Sequence, residues 1–146
     1  MEDLKIIFGR YINSDYVEEG YGRRKRKGGS NDLATLYEHM LKYKYHQVKQ
    51  TPSWVDSILD SYNDIHKIGK GQWNRININE CFIDGREDAI DKEGKEFDDI
   101  YPKELPLEWG LNNVMNKYFI ADFLRKYYNP TYPIDLDYKI RKKLGI

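Results

Sequence analysis

The chain has 146 residues, 40% of them hydrophobic and 14% aromatic, enough to build one core in a single domain over residues 1–146. Its 24 basic and 24 acidic residues cancel, which argues against a general polyanion binder, and no apolar run reaches the roughly 18 residues of a membrane span. The one cysteine, Cys81, can form neither an internal disulfide nor a cysteine metal pair, so the expectation is a reducing, cytoplasmic setting, no cofactor and no membrane.

Residues 2–13 contain "LKIIFGRYI", which fits the period of a helix or of a strand. Residues 20–30, "GYGRRKRKGGS", read as a glycine-flanked basic loop, because glycine costs a helix interior about 1 kcal/mol relative to alanine. A first helix is predicted over 32–46, with Ser30, Asn31 and Asp32 as competent caps and Leu33, Leu36, Tyr37, Met40 and Leu41 as an apolar stripe. A second is predicted over 51–68, where Thr51 caps, Pro52 suits the first helical position and Gly69 stops the helix. Its apolar face is Trp54, Val55, Ile58, Leu59, Tyr62 and Ile65. The short connection predicts an antiparallel pair whose centre is Leu36, Met40, Trp54, Ile58 and Leu59. The Trp54 ring is expected against the first helix near Met40, Tyr43 or Tyr37.

Beyond Gly71 the periodicity is mixed. Ile76 and Ile78 alternate as in a strand, whereas Cys81, Phe82, Ala89 and Ile90 fit a helix in spite of Gly85. Residues 84–104 hold nine acids against four bases, and the stretch from Lys95 to Pro106 reads as loop. Leu107 to Tyr128 reads as helix with a break at Asn116, and its core candidates are Trp109, Leu111, Val114, Met115, Tyr118, Phe119, Phe123 and Leu124. The tail "IDLDYKIRKKLGI" fits a terminal strand or a short basic helix.

The stretch "LYEHMLKYKYHQVKQTPSWVDSI" resembles the central signature of family twenty-nine of the domains of unknown function. His39, Leu41, Lys42, Tyr43, Tyr45 and Gln47 stand where that family has its histidine-bearing, leucine-rich helix. Ser53 and Trp54 stand where its next helix opens. Downstream, "GREDAIDKEG" and "IYPKELPLEWGLNNVM" look like its later helix and its Pro-flanked closing helix, so the resemblance spans about residues 33–120. It implies an all-α fold, with helix in place of strand over 76–92, and implies no activity.

Three groupings invite chemistry. His39, Tyr43 and His46 follow one flank of the first helix and form a candidate polar cluster, with His39 as a proton shuttle. The blander reading is a half-buried histidine hydrogen-bonded to a carbonyl or carboxylate. The two histidines are about 10 Å apart along the helix and cannot chelate one ion unaided. Asp56, Asp60 and Asp64 recur every four residues, a carboxylate stripe that Glu38 or His39 would complete for a divalent cation in a hydrolase or nuclease, or else a solvated face. Arg23, Arg24, Lys25, Arg26 and Lys27, with Tyr21 for stacking, make a candidate nucleic-acid patch that "KIRKK" at 139–143 would enlarge. The alternative is a loop paired with the acidic 84–104 segment. Cys81 reads as a core thiol, and "GKGQW" at 69–73 lacks the spacing of a phosphate loop.

The sequence therefore predicts an all-α fold, a small helical bundle centred on the pair 32–46 and 51–68. The leading function is a non-catalytic interaction module whose partner is itself or another protein. Nucleic-acid binding through 23–27 is second and the metal-dependent enzyme third.

Overall fold

A computed structural model describes residues 29–131 and 134–146. Seven α-helices and no strand occur among them: α1 Ser30–Tyr45, α2 Pro52–Ile65, α3 Lys70–Trp73, α4 Ile78–Glu93, α5 Leu111–Val114, α6 Lys117–Tyr127 and α7 Leu136–Leu144. Short 3-10 turns lie at Gln47–Lys49, Lys95–Asp98 and Leu107–Trp109. The all-α bundle is thus the observed class. Residues 76–92 resolve in favour of helix, and the tail in favour of the basic helix α7. No helix among the described residues is long and apolar enough to cross a membrane. The expectations for residues 2–13 and 20–28 lie outside the described residues.

Local chemistry sets most helix ends. Asn77, Asn116 and Asp135 each accept a backbone N–H in the first turn of α4, α6 and α7. The break expected at Asn116 is real, and its side chain caps α6. The caps of the central pair differ from expectation. Ser30, Asn31 and Asp32 lie inside the first turn of α1, and Gly29 takes the cap position without a side-chain bond. Thr51 does precede Pro52, yet its hydroxyl bonds Ser53 rather than the helix backbone. α2 stops at Ile65, short of Gly69.

α2 returns along α1, but α1 packs more extensively still against α4. The centre is accordingly a helix with a partner on each side. Leu36, Met40, Ile58 and Leu59 are fully buried, and Trp54 is 7% exposed. The Trp54 ring meets α1 at Lys42 and His46, at the end nearest the connection. Of the closing-helix candidates, Trp109, Val114, Phe123 and Leu124 are buried. Tyr118, expected in the core, is instead 58% exposed at the first turn of α6, where its position faces solvent.

Gly85 explains why α1 and α4 come so close. A Cβ at Gly85 would lie 2.4 Å from the Ala34 carbonyl oxygen and 3.0 Å from the Glu38 amide nitrogen. Ala34 and Ala89, both buried, continue the small-residue seam. The glycine that weakens α4's intrinsic propensity is what lets the two backbones touch. In an exposed helix Gly→Ala would stabilise by about 1 kcal/mol. Here the obstacle is backbone, which cannot rotate away. Gly85→Ala is therefore expected to destabilise by about 1–3 kcal/mol, measured as a lower denaturant midpoint. A midpoint equal to the parent's would show that the seam can open freely.

Candidate functional site: a buried charge cluster between α1 and α4

The close crossing of α1 and α4 buries a carboxylate. Glu38 has no exposed surface. Its Oε2 accepts from Lys42 one turn on at 3.0 Å and from Lys92 of α4 at 2.7 Å. Lys42 is itself buried, with its ammonium 5.1 Å from the Trp54 ring centre. Burial holds the Lys42 pKa below the ordinary lysine value, against the pull of Glu38. Charges this far from water persist because they are paired.

A second pair lies toward the open end. His46 Nδ1 is 2.8 Å from Glu93 Oε1, and Lys49 approaches the same oxygen at 3.4 Å. The carboxylate fixes the orientation of the His46 ring. That ring packs 4.5 Å from Phe97 and 6.4 Å from Trp54. The Tyr101 hydroxyl is buried beside this cluster, with no hydrogen-bond partner among the described residues. Burial first, then the charges of Glu93 and Glu38, push its pKa up, so it stays protonated.

The segment that carries Phe97 and Tyr101 is pinned to α4 by Arg86. Its Nε donates to the Pro102 carbonyl at 2.9 Å, and its Nη2 donates to the Asp98 carbonyl at 2.6 Å. A carboxylate contact to Asp98 at 2.8 Å holds that acid's pKa down, helped by Lys103. Part of the acidic 84–104 segment is therefore neutralised by bases of the same segment and of the α1–α2 link. Its proposed pairing with 23–27 lies outside the described residues.

The candidates named from sequence go to different places. His39, Tyr43 and His46 do not converge. His39 Nδ1 lies 2.9 Å from the Thr35 carbonyl oxygen, and burial holds its pKa below 6.5 despite the nearby Glu38 charge. Tyr43 is buried and donates its hydroxyl to the Leu124 carbonyl at 2.7 Å. Only His46 joins the charge cluster. On α2, Asp56 and Asp60 are held by Lys139 and Lys143 of α7, each at 2.8 Å, and Asp64 by Lys67 at 3.4 Å. Within the stripe, two of the three carboxylates thus make ion pairs to the terminal helix, and the third pairs locally. Glu38, expected to complete it, faces α4 instead. No group of three or more His, Cys, Asp or Glu among the described residues could hold a metal ion. Cys81 is buried. Tyr21 and Arg23 to Lys27 lie outside the described residues.

Sequence reasoning missed the roles of Glu38, Glu93, Lys92 and Tyr101. One signal was present: Glu38 and Lys42 form an i,i+4 pair of opposite charge set among apolar neighbours. The cluster holds a carboxylate-oriented imidazole and two lysine-bound carboxylates. Its chemistry is electrostatic locking of α1, α4 and residues 95–101.

Glu38→Ala strands the buried Lys42 charge and is expected to cost about 3–5 kcal/mol. Glu38→Leu with Lys42→Met should recover most of that in a double-mutant cycle by chemical denaturation. Additive losses would mean that the two groups act separately. His39 gives a second test. Its folded pKa is depressed, so between that value and 6.5 the unfolded chain binds more protons. Stability should therefore fall as pH drops below about 6.5, and His39→Gln should flatten that slope. An unchanged slope in the variant would remove His39 as its source.

Compared with known proteins, the chain matches one family model, described as "Domain of unknown function DUF29", over residues 18–120. No curated protein and no solved structure matches it.

Proposed function

The chain belongs to the DUF29 family, whose name assigns no activity, and from that premise we propose that it is a non-catalytic interaction module that associates with a second copy of itself through the turn at Leu107. The observation that carries the proposal is that Leu107 is 96% exposed on a turn fixed by the core. Pro106 opens the turn, and the Trp109 amide closes it onto the Pro106 carbonyl at 2.9 Å. Asn113 Nδ2 donates to the Glu108 carbonyl at 2.8 Å. Trp109 is buried, and its carbonyl accepts the Tyr37 hydroxyl at 2.8 Å. With the backbone of the turn held this way, only the rotamers of the leucine side chain are left to order on being covered.

The hollow beside that leucine points to a second copy as the partner. Leu107, Gly110, Leu111, Asn112 and Asn113 line a shallow hollow of about 380 Å³. A knob and a hollow on one turn suit a two-fold contact, in which each copy's Leu107 enters the other's hollow. Burying one leucine contributes about 1.5–3 kcal/mol. Two per dimer contribute about 3–6 kcal/mol, close to the low end of the roughly 4–15 kcal/mol that association costs, so the dimer is weak and concentration-dependent. The charge cluster supports the same reading from the other side. Its carboxylates and most of its lysines already serve one another.

Sedimentation velocity over a wide concentration range tests this. The parent's mass should rise with concentration. Leu107→Asp should stay monomeric with an unchanged melting temperature, because its side chain touches little in the monomer. A parent that is monomeric at the highest concentration, or a Leu107→Asp that still associates, would sink the proposal.

A further inference from the structure

Lys44, in the last turn of α1, has no carboxylate partner among the described residues. Its ammonium lies instead over three rings. The ring centres are 5.0 Å away for Tyr45, 5.1 Å for Tyr127 and 5.9 Å for Trp109. All three fall within the roughly 6 Å over which a ring attracts a cation. Burial pulls the Lys44 pKa down, yet side-chain hydrogen bonding and charge interaction with Tyr45 and then Tyr127 outweigh it and keep the amine protonated. The two tyrosines, through ring and hydroxyl together, stand in for a counterion, and Trp109 adds a third ring.

The box does not depend on the lysine. Tyr45 packs on Tyr101, with centres 5.9 Å apart. Tyr127 packs on Phe123 at 5.1 Å. Trp109 is buried and packs on Tyr37 and Phe123. Each wall is thus fixed by core neighbours. Tyr45, Tyr127 and Lys44 are half-buried, so the mouth opens to solvent, while Trp109 is the floor. The walls come from three separate parts of the chain: the end of α1, the Pro-flanked turn and the end of α6.

We propose that Tyr45, Trp109 and Tyr127 form a recognition site for a methylated ammonium group, which Lys44 occupies as a tethered internal ligand until that group displaces it. The chemistry selects this class. A primary ammonium is strongly hydrated and prefers carboxylates, which this box lacks. A trimethylammonium group is weakly hydrated, cannot donate a hydrogen bond and gains chiefly from ring faces. The tether makes Lys44 a competitor at high effective concentration, which sets the affinity of the parent.

The test is an NMR titration with tetramethylammonium, against sodium at equal ionic strength. It is run at protein concentrations below self-association and repeated in Leu107→Asp, so that a failed dimer and a failed cation site read differently. In the parent, the ring-shifted Lys44 ε-methylene signal should move saturably toward the ordinary lysine position with tetramethylammonium and not with sodium. In Lys44→Ala the Trp109 indole should report binding at least about tenfold tighter, since the tethered competitor is gone. Adding Tyr127→Leu to that variant should bring the response down to sodium's. Choline and a trimethyl-lysine peptide then separate two sources of the same chemistry. Equal affinities point to a free small cation, and a tighter peptide to a modified side chain of another protein. If Lys44→Ala does not fold, the parent titration decides alone. No saturable shift in the parent and in any folded Lys44→Ala, or equal responses to sodium and tetramethylammonium, would overturn the proposal.

Discussion

The approach of α4 to α1 at Gly85 governs the rest of this molecule. With a Cβ at that position, the Ala34 carbonyl oxygen would be met at 2.4 Å, so the observed crossing exists only because glycine stands there. The crossing distance then decides which side chains the seam encloses. Glu38 lies one turn beyond Ala34, on the same face, and is carried inside with it. A carboxylate in that position needs cations close by. Lys42 supplies one from the same helix and Lys92 another from α4. Phe82, one turn before Gly85, is brought edge-on to Tyr37 with centres 5.5 Å apart. The same contact therefore sets a polar cluster above it and an aromatic one below.

Stability alone does not account for the charge cluster. A buried ion pair is often no better than apolar residues of the same volume. What the cluster adds is register. Glu38 can satisfy Lys92 in only one alignment of α1 and α4. Glu93, one residue on, reaches His46 and Lys49 at the far end of α1 in that same alignment. Leucines in their place would accept a slide of either helix by one turn. The seam fixes how near the helices lie, and the ion pairs fix where along their length they meet. Arg86, held by three carbonyls and one carboxylate of residues 98–102, extends the lock to the irregular segment after α4.

Patterns that repeat within one helix were legible in the sequence. The stripes of α1 and α2, the proline after Thr51 and the break at Asn116 are local facts, and the helices form about where those patterns run. Interactions between distant residues were not legible. Lys92 is 54 positions from Glu38, and Glu93 is 47 from His46, so no spacing announces either pair. Gly85 counted against a helix because propensity scores a glycine without its neighbour across the seam. His39, Tyr43 and His46 fell into one group because helical spacing gives a flank but not what packs on it. Thr35's carbonyl, α6 and α4 take one each. The aspartate stripe was visible as a pattern, while its partners on α7 depend on where the tail folds. Leu107 was not among the core candidates, but its near-complete exposure depends on the turn that carries it to the buried Trp109, which no periodicity announces.

The ring-rich end of α1 serves neighbouring backbone as much as apolar packing. Short helices leave carbonyls unpaired at their ends, and α5 and α6 with their flanking turns have several. Tyr43 donates to Leu124 and Tyr37 to Trp109, and Tyr62 of α2 donates to Met115 at 3.3 Å. Gln50, nearly fully buried, donates to Tyr43 and Tyr127 and accepts from the Asn129 amide. Each of these long side chains lays an apolar body in the core and places a polar tip where a helix or turn ends. A phenylalanine at 37 or 43 would fill the same volume and leave that carbonyl without its donor, at about 1–3 kcal/mol for a buried polar group. Tyrosine is therefore required at these positions for its hydroxyl, and the closing helices can be short because α1 and α2 supply the bonds that a longer helix would make for itself.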